Sequence, residues 1–186
     1  MRYDIFETVW GWFGIVENNS RLAATFLPAA ARVVEAAIRS RWTTADHEPG
    51  LMPKLQKQVV AHFDGRPTNF AGELDMSELT SFRQRVIAAC RCVPFGELAS
   101  YQDLARAAGN PTATRAVGST MANNRWPLIV PCHRIVRSDG TIGGFSSPSG
   151  VSEKQRLLRH EGVEFPQSTK ERMGGRLSRR SLVASK

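Results

Sequence analysis

Residues 131–136 place a thiol next to a base and a cation, because Cys132 is followed by His133 and Arg134. A cysteine becomes a nucleophile when positive charge or a neighbouring base favours its thiolate. An apolar stretch, residues 128–130, comes directly before this run, so we expect a buried extended segment to present the thiol. Adjacent side chains on an extended segment point apart, which leaves a buried structural cysteine as the alternative.

The composition favours a polyanionic partner and a reducing compartment. The chain of 186 residues has a formal net charge of +8, and phosphate groups attract such charge at long range. Its hydrophobic content of 41% is typical of a globular protein, and the sequence predicts neither a membrane span nor a signal peptide. Three cysteines, an odd number, argue against a disulfide framework. We therefore expect a cytoplasmic protein with nucleic acid as a candidate partner.

The cysteine and histidine spacing predicts no metal site. Cys90 and Cys92 are separated by one residue, which is not CxxC spacing, and no second pair of ligands accompanies them. Residues 1–75 contain His47 and His62 but no cysteine. We interpret Cys90 and Cys92 as small residues on a largely buried helix. The sequence thus predicts neither a metal nor another cofactor.

Residues 1–75 are predicted to form a small α/β domain. Aromatic and β-branched residues at 8–16, a polar turn at 17–20 and a further run at 21–27 predict a β-hairpin. Pro28 suits a first helical turn, so a helix is predicted from there to about Trp42, and a second one from Pro53 to Gly65. Because residues 66–73 are rich in turn formers, we place the domain boundary near residue 75.

Residues 76–163 are predicted to carry short, capped helices. Ser81 and Ser152 each begin a capping-box spacing, and Ser100 is placed to cap a helix over residues 101–108. The run Gly109-Asn110-Pro111 supplies a stop, a cap and a first-turn proline, which predicts a further helix over residues 111–123.

Two short helices across so tight a turn predict a helix-turn-helix, whose second helix enters a DNA groove. An ordinary helical hairpin is the alternative. The residues that the second helix would present to DNA are Arg115 and the small residues Ala116, Gly118 and Ser119. Residues 164–186 are rich in Lys, Arg, Ser and Gly and are predicted to form a flexible basic tail that attracts phosphates non-specifically.

Several further runs occur in a fixed order around residues 131–136. They are VPFGELASY at residues 93–101, RAVG at 115–118, Asn124, GGFS at 143–146, residues 154–158 and His160-Glu161-Gly162. Together they closely resemble the methylated-DNA–protein-cysteine methyltransferase family, also called O6-alkylguanine-DNA alkyltransferases. The resemblance is strong over residues 74–163 and looser before them. It implies an α/β N-terminal domain with a small antiparallel sheet, ribonuclease H-like, and a mainly α C-terminal domain with a winged-helix-like helix-turn-helix.

The resemblance also implies a reaction. It is DNA repair by irreversible, stoichiometric transfer of an alkyl group to Cys132 from O6 of guanine, with O4 of thymine as a further candidate. His133 would deprotonate Cys132 through a water molecule held in a network with Glu161, and Asn124 would brace the adjacent turn. No cofactor takes part. A base inside the duplex is inaccessible, so it has to be flipped out of the stack.

The DNA-binding roles come from the same resemblance. Arg115 would occupy the space of the extruded nucleotide, Tyr101 would rotate the 3′ phosphate and bind the flipped base, and Ser146 would lie at the oxygen of the base. The implied partner is double-stranded DNA that contains O6-alkylguanine, and the protein would act as a monomer away from membranes.

Two departures and three alternatives stay open. Arg125 and Trp126 separate Asn124 from Pro127, where the family often has Asn-Pro, and Phe145 stands where tyrosine is common. These departures leave the range of alkyl groups and the width of the pocket open. The alternatives are a non-catalytic relative, in which the acceptor cysteine is replaced, a cysteine hydrolase, and a DNA-binding regulator.

Overall fold

The computed structural model describes residues 1–163, which divide into two compact units. Over these residues the first unit is Met1–Glu78 together with Arg125–Ile129, and the second is Leu79–Asn124 together with residues 130–163. The sequence analysis places one boundary near residue 75 and gives no signal for the return of residues 125–129 to the first unit. The predicted basic tail, residues 164–186, lies outside the described residues.

The first unit is built on a four-stranded sheet with the strand order β3-β2-β1-β4. Strands β1 (Arg2–Thr8), β2 (Gly11–Asn18) and β3 (Arg21–Ala29) form an antiparallel meander, and the predicted hairpin is confirmed as β2 and β3. Strand β4 (Asp46–His47) pairs parallel to β1, so the sheet is mixed and the expectation of an antiparallel sheet is wrong.

Two helices complete this unit, α1 (Ala31–Arg41) and α2 (Pro53–Phe63). Pro28 belongs to β3 rather than to a helix, and it is tolerated there because β3 is an edge strand whose outer N–H groups need no ladder partner. Helix α1 packs closely on β2 at Gly14. A Cβ atom at this position would lie 2.6 Å from Cγ1 of Val34, so only glycine lets the helix approach.

The segment Arg125–Ile129 is fastened to β3 by three hydrogen bonds. The indole N–H of Trp126 donates to the Leu22 carbonyl at 2.6 Å. Thr25 donates its backbone N–H to the Arg125 carbonyl at 2.9 Å and its hydroxyl to the Pro127 carbonyl at 2.7 Å. These bonds satisfy buried polar groups of β3 and of residues 125–129, so the segment is part of the first unit's structure.

The second unit contains four helices and a short parallel pair of strands. The helices are α3 (Ser81–Arg91), α4 (Tyr101–Ala107), α5 (Thr114–Ala122) and α6 (Gly150–His160). Strands β5 (Ala99–Ser100) and β6 (Ile135–Val136) pair with each other, and a single 3-10 turn, Cys132–Arg134, comes directly before β6. Among the described helices, none is long and apolar enough to cross a membrane.

The helix caps agree only in part with the sequence analysis. Ser100 caps α4 in a capping box with Asp103, as predicted. Helix α3 is capped by Thr80, one residue before the predicted Ser81, and its hydroxyl accepts from the backbone N–H of Arg83. Ser152 lies inside α6, where its hydroxyl donates to the Ser149 carbonyl, so the predicted cap there is wrong. Helix α5 begins at Thr114, three residues after the predicted start.

Candidate active site

Cys132 begins the 3-10 turn and is buried, with 7% of its surface exposed. The predicted extended segment is therefore wrong. Leu128 has a positive φ of 77°, and the backbone N–H of Cys132 donates to the Val130 carbonyl at 2.8 Å, so the chain folds back on itself before the thiol. The turn orients the side chains of Cys132 and His133 differently from an extended segment, on which adjacent side chains point to opposite sides.

The thiol lies in the wall of a cavity of about 390 Å³ in the second unit. A volume in this range is typical of sites for small molecules. The lining residues come from α4, α5, the 3-10 turn and the loop before α6, and they are Tyr101, Gly118, Met121, Ala122, Cys132, Gly144, Phe145 and Ser146. The cavity thus brings together a nucleophile, two hydroxyl groups and mainly small or apolar side chains.

Asn124 is the hydrogen-bond donor that contacts the sulfur. Its Nδ2 lies 3.0 Å from Sγ of Cys132 and also donates to the Val130 carbonyl at 2.9 Å. Burial raises the pKa of the Cys132 thiol, while the Asn124 amide, the charge of Lys154 and the backbone N–H groups of Cys132 and His133 act in the opposite direction. Burial predominates, so the resting sulfur is a thiol that needs a base to become a nucleophile.

His133 and Arg134 both bind Glu161, which caps the C-terminal end of α6. Nε2 of His133 lies 2.8 Å from Oε1 of Glu161, and both side chains are buried. Arg134 donates to the same carboxylate twice, from Nε at 2.8 Å and from Nη2 at 2.9 Å, and donates Nη1 to the Val93 carbonyl at 2.7 Å. The backbone N–H of Gly96 adds a longer contact of 3.3 Å.

These contacts assign the tautomer of His133. Burial acts to raise the pKa of Glu161, but the hydrogen bonds from His133 and Arg134 outweigh it and lower the pKa to about 2. The ionised carboxylate can only accept, so Nε2 of His133 carries a proton and donates it. Burial lowers the pKa of His133, so the ring is neutral and Nδ1 is an unprotonated acceptor. Within residues 1–163, Nδ1 has no hydrogen-bond partner.

Lys154 is a second buried cation in this unit. It lies on α6, is fully buried, and donates its Nζ to the Ile135 carbonyl in β6. Burial lowers its pKa to about 8, and the partial negative charge on Cys132 and Cys90 acts against that shift. The backbone three residues after the thiol is therefore fixed by an ammonium group.

The residues predicted to bind DNA fall into two groups. Tyr101, Gly118 and Ser146 line the cavity together with Cys132. Arg115, Ala116 and Ser119 are exposed on α5 and do not contribute to the lining. Burial raises the pKa of Tyr101, so its hydroxyl keeps its proton and can donate. Gly143 makes room for this hydroxyl, because a Cβ atom there would lie 3.2 Å from it.

The sequence analysis misses two residues of the site. It assigns Arg134 to the thiol, whereas the guanidinium binds Glu161, 27 residues away in the chain. Lys154 enters the sequence analysis only as part of a capping box and of a family motif, although Lys154, Leu157, Leu158 and Glu161 recur at the spacing of one helix face and are all buried. That spacing is the signal that could have identified a buried lysine.

The cysteines form no disulfide bond. All three cysteines are unpaired thiols, with Cys90 buried in α3 and Cys92 exposed where α3 ends, so the expectation of two largely buried residues holds for Cys90 alone. In the part of the chain that the structure describes, no group of three or more His, Cys, Asp or Glu side chains is placed to hold a metal ion.

Comparison with known proteins finds relatives that agree with one another. Residues 81–163 match the model of the DNA-binding domain of 6-O-methylguanine DNA methyltransferase. The chain is 36% identical over 163 residues to the bifunctional transcriptional activator/DNA repair enzyme Ada of Escherichia coli, covering 87% of this chain. It is 34% identical over 159 residues to a methylated-DNA–protein-cysteine methyltransferase of Mycobacterium bovis, covering 86% of this chain and 87% of that protein.

Solved structures give the same result. The crystal structure of Mycobacterium tuberculosis OGT in complex with DNA matches with a TM-score of 0.71 and 30% identity, over 87% of this chain and 93% of that one. The chain spans about half the length of several curated relatives, since it covers 45% of the Escherichia coli protein.

Proposed function

The chain belongs to the methylated-DNA–protein-cysteine methyltransferase family, and on that premise we propose that it repairs DNA by moving an alkyl group irreversibly from O6 of guanine to Cys132. The observation that carries this proposal is the cavity with the Cys132 thiol in its wall and Asn124 donating to the sulfur. A thiol placed this way can meet a planar ligand that enters the cavity. The substrate would be O6-alkylguanine in double-stranded DNA, with O4-alkylthymine as a second candidate.

The proposed reaction begins with proton transfer from Cys132 to His133. Nδ1 of His133 is the unprotonated nitrogen, and we propose that it takes the proton through one bridging water molecule. Glu161 holds the ring and stabilises the imidazolium that forms, because it is already ionised. The thiolate then attacks the alkyl carbon, a C–S bond forms, the C–O6 bond breaks, and the purine takes up the proton. The thioether is a poor leaving group, so each chain reacts once.

Delivery of the base is assigned to the residues around the mouth of the cavity. Tyr101 and Ser146 would contact the flipped base, because their hydroxyls line the cavity with the thiol. Gly118 would let the base approach α5 closely. Arg115, exposed on α5, would fill the space that the nucleotide leaves, while Ala116 and Ser119 would form a smooth surface against the DNA backbone.

We extend the proposal to the architecture and the compartment. Helices α4 and α5 would form a helix-turn-helix within a winged-helix-like domain over residues 76–163, and the sheet over residues 1–75 would be ribonuclease H-like. The protein would act as a monomer. Three unpaired cysteines, one of them reactive, suit a reducing compartment such as the cytoplasm.

The experiment is intact-mass analysis after incubation with a duplex that carries O6-methylguanine. We expect one methyl group per chain, on Cys132, and none in Cys132→Ser. The variants Cys90→Ser and Cys92→Ser are matched controls that should still gain one methyl group. Repeated turnover would identify a cysteine hydrolase, and binding without an adduct would identify a non-catalytic relative or a DNA-binding regulator. Either result would contradict the proposal.

A second experiment tests the role of Arg115. The variant Arg115→Ala should slow transfer from duplex DNA by at least tenfold and leave transfer from the free base O6-methylguanine nearly unchanged, because only the duplex requires flipping. Arg83→Ala, which removes an exposed arginine from α3, is the matched control. An equal loss on both substrates would remove the flipping role.

A further inference from the structure

Lys154 is a fully buried cation that the reaction proposed above does not use. A buried ammonium is unfavourable unless it is hydrogen-bonded and faces negative charge. Its hydrogen bond goes to the Ile135 carbonyl, and a carbonyl supplies only a partial charge. A site that retains such a group needs a partner that carries negative charge at some stage of the reaction.

Glu161, a buried carboxylate of the second unit, is already bound by other groups and is not the partner of Lys154. The carboxylate of Glu161 is occupied by two bonds from Arg134 and one from His133. Arg134 also donates to the Val93 carbonyl, so its hydrogen bonds go to Glu161 and to the backbone. The groups coupled electrostatically to Lys154 are the thiols of Cys132 and Cys90.

The groups that act on Cys132 also point to Lys154. The groups that favour negative charge on Cys132 are the Asn124 amide, the Lys154 ammonium and two backbone N–H groups. Tyr101 and Cys90 are also coupled to Cys132, but as acids they disfavour its anion when they ionise. Among the described residues, Lys154 is thus the full positive charge with the largest effect on the sulfur, while Asn124 and the backbone act as dipoles.

We propose that Lys154 supplies the counter-charge for the Cys132 thiolate and that its bond to the Ile135 carbonyl fixes the turn that presents the sulfur. This inference rests on the proposed alkyl transfer and adds a positioning residue to it. The ammonium keeps all its protons throughout. The thiol proton passes to His133 and then to the purine, so the charge of Lys154 is constant while the sulfur is neutral, then anionic, then a neutral thioether.

The first test measures how readily the Cys132 thiol ionises and needs no DNA. In a Cys92→Ser background, which removes the exposed thiol, the rate of Cys132 alkylation by iodoacetamide is measured against pH. Lys154→Met keeps the length of the side chain and removes its charge. We expect its profile to move upward by about one pH unit, which makes alkylation about tenfold slower at neutral pH. Lys57→Met, which removes an exposed lysine from α2, should leave the profile in place. An unmoved profile in folded Lys154→Met would overturn the proposal.

A second test needs no change at residue 154. Coupling between two groups is reciprocal: the charge of an ionised Cys132 raises the pKa of Lys154, so blocking ionisation of the sulfur must lower that pKa. The lysine Cε signals are followed by NMR against pH in the same Cys92→Ser background, before and after Cys132 is alkylated with iodoacetamide. We expect the signal of the buried lysine to titrate at lower pH after alkylation. An unchanged titration would overturn the proposal even if Lys154→Met does not fold.

The experiments distinguish failure of the proposed alkyl transfer from failure of the counter-charge role of Lys154. If the iodoacetamide profile shifts but the protein gains no methyl group from DNA, the proposed function is wrong and the counter-charge role stands for the thiol. If the protein gains the methyl group while both tests on Lys154 show no change, the counter-charge role is wrong and the proposed function stands.

Discussion

The two units each contain a buried carboxylate bound to a histidine, and the two sites differ in what the histidine can do next. Asp4 in β1 accepts from the backbone N–H of Gly50 at 2.7 Å, from Nε2 of Gln56 at 2.7 Å and from Nε2 of His47 at 3.3 Å. Glu161 accepts from Arg134 and His133 at 2.8 to 2.9 Å. Both carboxylates are 4% exposed.

The two sites differ in the histidine that binds the carboxylate rather than in the carboxylate itself. His47 is exposed, and Asp4 fastens a strand to a loop and to α2. His133 is buried, and its second nitrogen is an unprotonated acceptor in the turn that carries a thiol. Burial and a full set of donors therefore do not identify a functional carboxylate. The distinguishing features are the unprotonated nitrogen of His133 and the cavity that the preceding residue, Cys132, lines.

Replacement of Glu161 by glutamine should have the largest combined effect, because it affects both stability and rate. Glu161→Gln leaves the Arg134 guanidinium buried without a counter-ion, which lowers the free energy of unfolding by about 3–5 kcal/mol. It also removes the charge that stabilises imidazolium, so transfer should slow by about 100-fold. Urea unfolding and single-turnover methyl transfer measure the two effects. A variant that retains both stability and rate would remove the contrast with Asp4.

Replacement of His133 should affect the rate far more than the stability. His133→Gln can still donate to Glu161 but accepts no proton from the thiol, so we expect transfer to slow by about 10²–10⁴-fold. His47→Gln, the corresponding change in the first unit, should leave the rate unchanged. Single-turnover transfer measures both variants. Similar rates for the two would show that His133 is structural, like His47.

Acid should weaken the network around Glu161 within a defined range of pH. The pKa of Glu161 is lowered from 4.5 to about 2, so its stabilisation is complete above pH 4.5 and is lost as the pH falls towards 2. The loss should amount to about 3 kcal/mol. Unfolding of the wild type and of Glu161→Gln, measured from pH 5 to 2, should converge by this amount. Parallel curves would contradict the assigned ion pair.

Replacement of Asp4 should have the smallest effect and an effect on stability alone. Asp4→Asn keeps the shape of the side chain but replaces one acceptor oxygen by an N–H group, either at Oδ2, which Gly50 and Gln56 share, or at Oδ1, which faces His47. We expect a loss of about 1–3 kcal/mol in the free energy of unfolding and no change in the rate of transfer. Slower transfer in a fully folded variant would mean that the first unit contributes to the chemistry.

Local signals were sufficient for much of the second unit. The Ser100 capping box depends on residues three apart, and it forms as the spacing predicts. The predicted site residues Tyr101, Gly118, Cys132 and Ser146 line one cavity, although their roles stay predictions. The order of the motifs along the chain, rather than the chemistry of any one of them, made this placement possible.

Contacts distant in sequence account for what could not be predicted. The parallel pairing of β4 with β1 joins residues about forty positions apart, and the docking of residues 125–129 on β3 depends on bonds that span 102 or 104 positions. Arg134 stands two positions after Cys132 in sequence, but a carboxylate 27 positions away binds it more strongly than a thiol would. Adjacent sequence alone does not reveal such competition.

The return of Arg125–Ile129 to the first unit limits how far the second unit can be separated from it. A chain that began at residue 79 would keep every residue that lines the cavity. It would also carry Trp126, Leu128 and Ile129, which are at most 3% exposed, without the strand β3 to which residues 125–127 are hydrogen-bonded. Such a fragment would expose an apolar loop, prone to aggregation, directly after Asn124, which donates to the sulfur. The two halves of this molecule are therefore distinct in structure but not interchangeable modules, and a domain swap would have to carry this loop's binding strand with it.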